Sequence, residues 1–145
     1  VDIHEGLENT LVILKHKLKQ GITIHRDYDR ALPRVEVYAS ELNQVWTNLM
    51  DNAIDAMQGH GVLRLRTNQR DDQIVVEIGD DGPGIPAAVL PNLFEPFYTT
   101  KDPGKGTGLG LYVSYSIIQK HRGKITVQSQ PGDTRFSVSI PGAKR

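Results

Sequence analysis

Cysteine is missing from all 145 residues, which excludes disulfides, thiolate metal sites and a cysteine nucleophile. An excess of either charge is missing too, since 17 Lys plus Arg balance 17 Asp plus Glu. That balance argues against nucleic acid as a partner, though not against a local anion site. No apolar run approaches the roughly 18 residues that span a bilayer, and no signal-peptide pattern opens the chain, so direct membrane contact by this domain is not expected. Internal repeats and low-complexity tracts are absent. The length, with 38% hydrophobic and 23% charged residues, fits one domain over residues 1–145 around one core. The first residue is Val1 rather than Met, as expected of a module from a longer protein.

Common catalytic and nucleotide motifs are also absent. There is no G-x-x-x-x-G-K-[ST], no G-x-G-x-x-G after a strand, no H-E-x-x-H and no G-x-S-x-G. P-loop, dinucleotide, zinc-protease and nucleophile-elbow chemistries are thereby set aside.

What is abundant is glycine in one place. Gly104, Gly106, Gly108 and Gly110 alternate with other residues just before a helical apolar pattern begins. Such a run is a poor helix or strand interior but suits close backbone approach to a ligand. At a helix start the free N–H groups and the dipole favour phosphate, and Lys101 and Lys105 lie in the same stretch.

Periodicity outlines the remainder. Residues 2–20 read as a helix, with Asp2 and Glu5 as capping residues and a stripe of Ile3, Leu7, Leu11, Leu14 and Leu18. Residues 22–27 read as a strand and 35–38 as a second short one. Ser40 is expected to cap a helix over 41–57, whose Gln44, Asn48, Asn52 and Asp55 share one face. Residues 62–67 and 74–79 form a hairpin with its turn over 68–73. The period of two places Ile74, Val76, Ile78 and Asp80 on one inward face, with Asp81 outward. A short helix is expected to start at Pro86, a longer one covers 109–121, and strands at 124–130 and 134–140 close the chain. Strands cluster as hairpins instead of alternating with helices. That predicts an α+β fold, a two-layer α/β sandwich whose mixed sheet is covered on one face by helices.

Three groups carry complementary chemistry. A buried carboxylate at Asp80 can accept from an exocyclic amine such as adenine N6 and would repel the carbonyl of guanine. Neutral amide oxygens at Asn48 and Asn52 suit a cation whose charge is already balanced by phosphate, as for Mg2+. The glycine stretch supplies N–H donors, and the lysines offset charge on the outer phosphates.

In this order, ELNQVWTNLMDNAIDAM resembles the N box of the ATPase superfamily that joins histidine kinases with gyrase and MutL. DDGPGI resembles its G1 box, FEPFYTTK its F box and GKGTGLGL its G2 box. GKITVQSQPGDTRFSVSIP resembles the closing hairpin of the catalytic ATP-binding domain of two-component sensor histidine kinases. The resemblance spans roughly residues 36–141 and implies the Bergerat fold, with ATP and one Mg2+ bound. It implies Asn52 as the magnesium-linked asparagine and Asp80 as the adenine-reading carboxylate. Gly82, Gly84 and Ile85 would shape the adjoining loop. Thr99, Thr100, Lys101, Lys105, Gly106, Thr107, Gly108, Leu109 and Gly110 would form the phosphate-side segment, with Phe94 and Phe97 packing its root. Order over residues 99–108 is then expected only with ATP and Mg2+.

Asn48 separates kinase from hydrolase. The hydrolysing branch carries Glu four residues before the magnesium asparagine, and an amide cannot act as a general base. The resemblance thus implies transfer of the γ-phosphate of ATP to a histidine, with Asn48 and Asn52 as the catalytic pair. Two positions depart from the family pattern: Asp55 where Lys or Arg is common, and Asp133 in place of the second glycine of the last hairpin. None of the five histidines, His4, His16, His25, His60 and His121, has the sequence context of an acceptor. The acceptor is therefore expected on a separate dimerisation domain, upstream of residues 1–20 or in another chain, with a response regulator downstream. The domain by itself is expected to be monomeric and cytoplasmic. A same-fold Ser/Thr protein kinase and a non-catalytic ATP-sensing module are the alternative readings.

Overall fold

The computed structural model describes residues 2–19, 21–35, 37–88, 90–92, 94 and 110–142. In chain order the elements are α1 (Ile3–Ile13), α2 (Lys15–Leu18), β1 (Ile22–Asp27), α3 (Ala39–Ala56), β2 (Gly61–Arg70), β3 (Gln73–Asp80), a single 3-10 turn at Leu90–Asn92, α4 (Gly110–Lys120), β4 (Lys124–Gln130) and β5 (Asp133–Pro141). The strands form one sheet in the order β1-β2-β3-β5-β4. β1 runs parallel to β2, and every other pairing is antiparallel. The sheet is therefore mixed, with α3 as the crossover that a parallel β1–β2 pair requires.

One face of the sheet is apolar because its strands alternate. Leu63, Leu65, Ile74, Val76, Ile78, Phe136, Val138 and Ile140 are buried on that face and share one core with the helices. Arg64 and Arg66 stand exposed on the other face. Trp46, Leu49 and Met50 of α3 are fully buried in this shared core, and burying a large apolar side chain contributes about 1.5–3 kcal/mol by removing it from water. The expected α+β sandwich, helices on one face of a mixed sheet, is the observed architecture.

Several local expectations are corrected. The helix expected over residues 2–20 breaks at Leu14, where Lys17 N–H bonds the Leu14 carbonyl at 3.0 Å and tightens the turn. The break keeps Leu14 and Leu18 buried and brings Lys17 to Asp51 and Asp55 of α3. Asp2 does cap α1, its carboxylate accepting from His4 N–H at 2.9 Å.

Ser40 is not the cap of α3. The helix starts at Ala39 and Tyr38 is the N-cap, with no side-chain bond of its own. The ring of His121 supplies a partner from the far end of α4, with Nε2 accepting from Tyr38 N–H at 3.2 Å. Nδ1 lies 2.9 Å from the Ile117 carbonyl. A backbone N–H only donates and a carbonyl only accepts, so the proton of this imidazole belongs on Nδ1.

Of the strand expected over 35–38, the described residues 35, 37 and 38 form none, and β1 pairs the edge of β2. β2 and β3 extend the hairpin inward, leaving only Asp71 and Asp72 as its turn instead of residues 68–73. No helix starts at Pro86; the described residues hold only the 3-10 turn at Leu90–Asn92. The expectation of ligand-dependent order at residues 99–108 lies outside the described residues.

Candidate functional site

Asp80 is the last residue of β3 and continues the face of Ile74, Val76 and Ile78. It is 3% exposed and pairs in register with Leu63 on one side and Thr134 on the other. Its Oδ1 accepts from Gly82 N–H at 2.9 Å. Burial pushes the carboxyl above the ordinary carboxylate range; the Gly82 bond opposes that rise and the charge of Asp81 adds to it. Such a buried acceptor needs a donor to offset its desolvation.

Asp81 does not simply point to solvent. It is half-buried and its Oδ1 accepts from Val62 N–H at 3.0 Å. The β2–β3 ladder ends at the Leu63–Asp80 pair, so the Asp81 side chain takes the place of the next ladder carbonyl.

The loop after Asp80 is wedged between the end of α3 and the β4–β5 turn. Gly132 N–H bonds the Gly82 carbonyl at 2.8 Å, and Ile85 N–H donates to Ser129 Oγ at 2.7 Å. Ser129 Oγ in turn lies 2.7 Å from Thr134 Oγ1. Gly84 has φ +93°, and a Cβ there would stand 2.9 Å from the Gln130 carbonyl carbon. Both the backbone conformation and the contact require glycine. Gly84→Ala is expected to cost roughly 1–3 kcal/mol and to displace the loop. A drop in urea midpoint together with weaker ATP binding would show both effects, whereas wild-type behaviour in both would contradict the wedge.

Ser129 and Thr134 are functional-site neighbours that sequence reasoning missed. For Thr134 a signal existed: the inward residues Phe136, Val138 and Ile140 of β5 extend by one period to it, and it is 3% exposed.

The polar face of α3 closes the other side. Gln44 Nε2 donates to Asn48 Oδ1 at 2.9 Å. Asn48 Nδ2 lies 3.1 Å from the Gly110 carbonyl and 3.2 Å from Ser114 Oγ, tying α3 to the first turn of α4. Asn52 sits one turn further along α3, half-buried. Asp55 is exposed near Lys17, at 3.8 Å, while the Lys17–Asp51 pair holds the ammonium more tightly and raises its pKa.

Phe94 packs against α4 and β5. Its ring stacks on Tyr115 with centroids 5.6 Å apart and meets Phe136 edge-on at 6.3 Å. Gly110 opens α4. Thr99, Thr100, Lys101, Lys105, Gly106, Thr107, Gly108 and Leu109, together with Phe97, lie outside the described residues.

This chemistry fits a purine nucleotide. An acceptor-only group sits on a buried floor, beside a glycine loop with no room for side chains. Among the described residues no group of three or more His, Cys, Asp or Glu side chains could hold a metal ion. A cation here would depend on the amide oxygens of α3 and on the phosphates of a bound nucleotide, which is the mode that suits magnesium.

Comparison with known proteins agrees with this geometry. A family model described as histidine kinase-, DNA gyrase B-, and HSP90-like ATPase matches residues 38–144. The sensory histidine kinase/phosphatase NtrB of Rhodobacter capsulatus is 39% identical over 158 residues, covering 100% of this chain and 44% of the relative. The sensor kinase CckA of Brucella abortus is 38% identical over 157 residues, covering 97% of this chain and 17% of the relative. The chain thus spans less than half the length of these curated relatives. Among solved structures, the catalytic domain of histidine kinase ThkA in a nucleotide-free form superposes with a TM-score of 0.89 at 30% identity, covering 99% of this chain and 94% of that one. ThkA in complex with the response regulator protein TrrA superposes with a TM-score of 0.84 at 28% identity, covering 100% of this chain and 42% of that one.

Proposed function

The chain belongs to the histidine kinase-, DNA gyrase B- and HSP90-like ATPase family, and on that premise we propose that it is the catalytic ATP-binding domain of a sensor histidine kinase. It holds ATP with Mg2+ and delivers the γ-phosphoryl group to a histidine on a separate helical acceptor domain. The observation that carries this reading is the buried Asp80 beside the Gly82–Gly84 loop, facing a helix whose Asn48–Asn52 turn carries no glutamate.

In this reading Asp80 accepts from the adenine amine, and Gly82, Gly84 and Ile85 shape the wall beside the base. Asn52 offers its amide oxygen to the cation, and Asn48 orders the phosphate side of α3. Thr99, Thr100, Lys101, Lys105, Gly106, Thr107, Gly108, Leu109 and Gly110 grip the phosphates. Asn52 and the phosphates would hold a magnesium ion, which would supply charge neutralisation on the phosphate side. The P–O bond to the β-phosphate breaks as a P–N bond forms with the acceptor imidazole, and ADP leaves. Such a transfer relies on alignment and charge stabilisation rather than on a strong protein base, which agrees with an amide at position 48. The parent protein passes the phosphoryl group to a response regulator, and this domain works as a cytoplasmic monomer.

The test is incubation with γ-labelled ATP and Mg2+, with and without a histidine-bearing acceptor domain. Label is expected on the acceptor only, lost in acid and stable in alkali. Acid-stable label would favour a Ser/Thr kinase of the same fold, and binding without transfer an ATP-sensing module. Label on this chain alone would overturn the separate acceptor.

A further inference from the structure

Ser114 is a serine inside a helix with 0% exposure, and a buried hydroxyl at such a position demands partners. It has two. Its Oγ donates to the Gly110 carbonyl at 3.0 Å and accepts from Asn48 Nδ2 at 3.2 Å. The same Nδ2 lies 3.1 Å from the Gly110 carbonyl. The Gly110 carbonyl can only accept, and the single proton of Ser114 is committed to it. Both groups can therefore take only hydrogen from Asn48. This directs the NH2 of Asn48 at α4 and turns its Oδ1 to the Gln44 side, where Gln44 Nε2 approaches at 2.9 Å.

We infer that Ser114 is a positioning residue of the nucleotide site, fixing the orientation of the Asn48 amide and locking α3 to the first turn of α4. The inference rests on the reading of Asn48 as part of that site. Gly110 ends the glycine-rich stretch, so the one amide contacts both α4 and the carbonyl at which the phosphate-side segment joins it. A hydroxyl that merely bonded its own helix would have no consequence for Asn48. Alanine is the better helix former, so in that case Ser114→Ala would leave stability and kinetics alike unharmed.

The experiment compares wild type, Ser114→Ala, Asn48→Ala and the double variant. It has two readouts: phosphotransfer from γ-labelled ATP to a supplied acceptor domain, and the Asn48 side-chain NH2 cross-peaks in a 15N-resolved NMR spectrum. Ser114→Ala is expected to shift those cross-peaks and to lower kcat about fivefold. In the Asn48→Ala background it is expected to have no further effect on kcat. Unmoved Asn48 cross-peaks, or an equal loss of kcat in both backgrounds, would overturn the positioning role. If the wild type transfers no phosphate, the functional reading fails. The NMR comparison, which needs no activity, then still decides whether Ser114 holds the Asn48 amide.

Discussion

Asp80→Asn is expected to weaken ATP binding by more than about tenfold while leaving the nucleotide-free protein as stable as wild type, or more so. The two halves have one physical cause. Asp80 is 3% exposed at the inner end of a core strand, and burial raises its pKa. An acid whose folded-state pKa lies above its unfolded value binds its proton more tightly in the folded state. The stability it contributes is fully present at pH below the ordinary carboxylate range and is lost as pH rises through the folded pKa. At neutral pH the ionised carboxylate therefore burdens the empty fold. Asn keeps an oxygen for the Gly82 N–H, which now meets Oδ1 at 2.9 Å, and removes the charge. It also presents an NH2 where the adenine amine needs an acceptor. The stability advantage of the variant should therefore grow as the pH rises above the ordinary carboxylate range and through the folded-state pKa of Asp80. Calorimetric titration with ATP and thermal melts across that range measure both halves. Near-wild-type affinity would contradict the base-reading role, and a lower melting temperature at neutral pH would contradict the burden of burial.

Asn52→Ala is expected to reduce magnesium-dependent phosphotransfer to a supplied acceptor domain by on the order of a hundredfold or more. In the proposed site Asn52 supplies one oxygen that orders the cation, and its removal withdraws charge stabilisation from the transition state. The neighbouring Asp55→Ala provides the contrast. Asp55 is exposed and lies 3.8 Å from Lys17, and surface ion pairs of this kind contribute about 0–1 kcal/mol. Transfer by Asp55→Ala is expected within about threefold of wild type. Rates measured over a range of Mg2+ concentrations separate the two variants. Retained transfer by Asn52→Ala would remove that residue from the cation site, and a large loss in Asp55→Ala would assign the departure from the family pattern a direct role.

The elements most legible in the sequence were those whose cause is local. The alternation of Ile74, Val76 and Ile78 carried Asp80 to the buried face without any knowledge of what packs there. The boxes around Asn52, Asp80 and Gly108 were readable because backbone approach and amide or carboxylate chemistry restrict residue types within a few positions. Errors arose where a distant partner overrode a local signal. Ser40 is a good cap by composition, yet the helix starts earlier because His121, 83 residues away, receives the Tyr38 N–H. The continuous stripe from Ile3 to Leu18 concealed a tightened turn at Leu14, since Leu14 and Leu18 remain buried across it. Asp81 seemed outward by alternation, but β3 ends at Asp80 and the rule ends with it.

The sequence by itself determined the fold class, the family and the inward carboxylate. Hydrophobic period and short motifs encode those features in residues that are neighbours along the chain. Only the tertiary structure decided how the site is braced. Asn48 meets Gly110 and Ser114 across 62 and 66 residues, and Ile85 meets Ser129 across 44. Hydrogen bonds of that reach depend on how the crossover helix and the last hairpin pack on the sheet, and no local pattern carries that information.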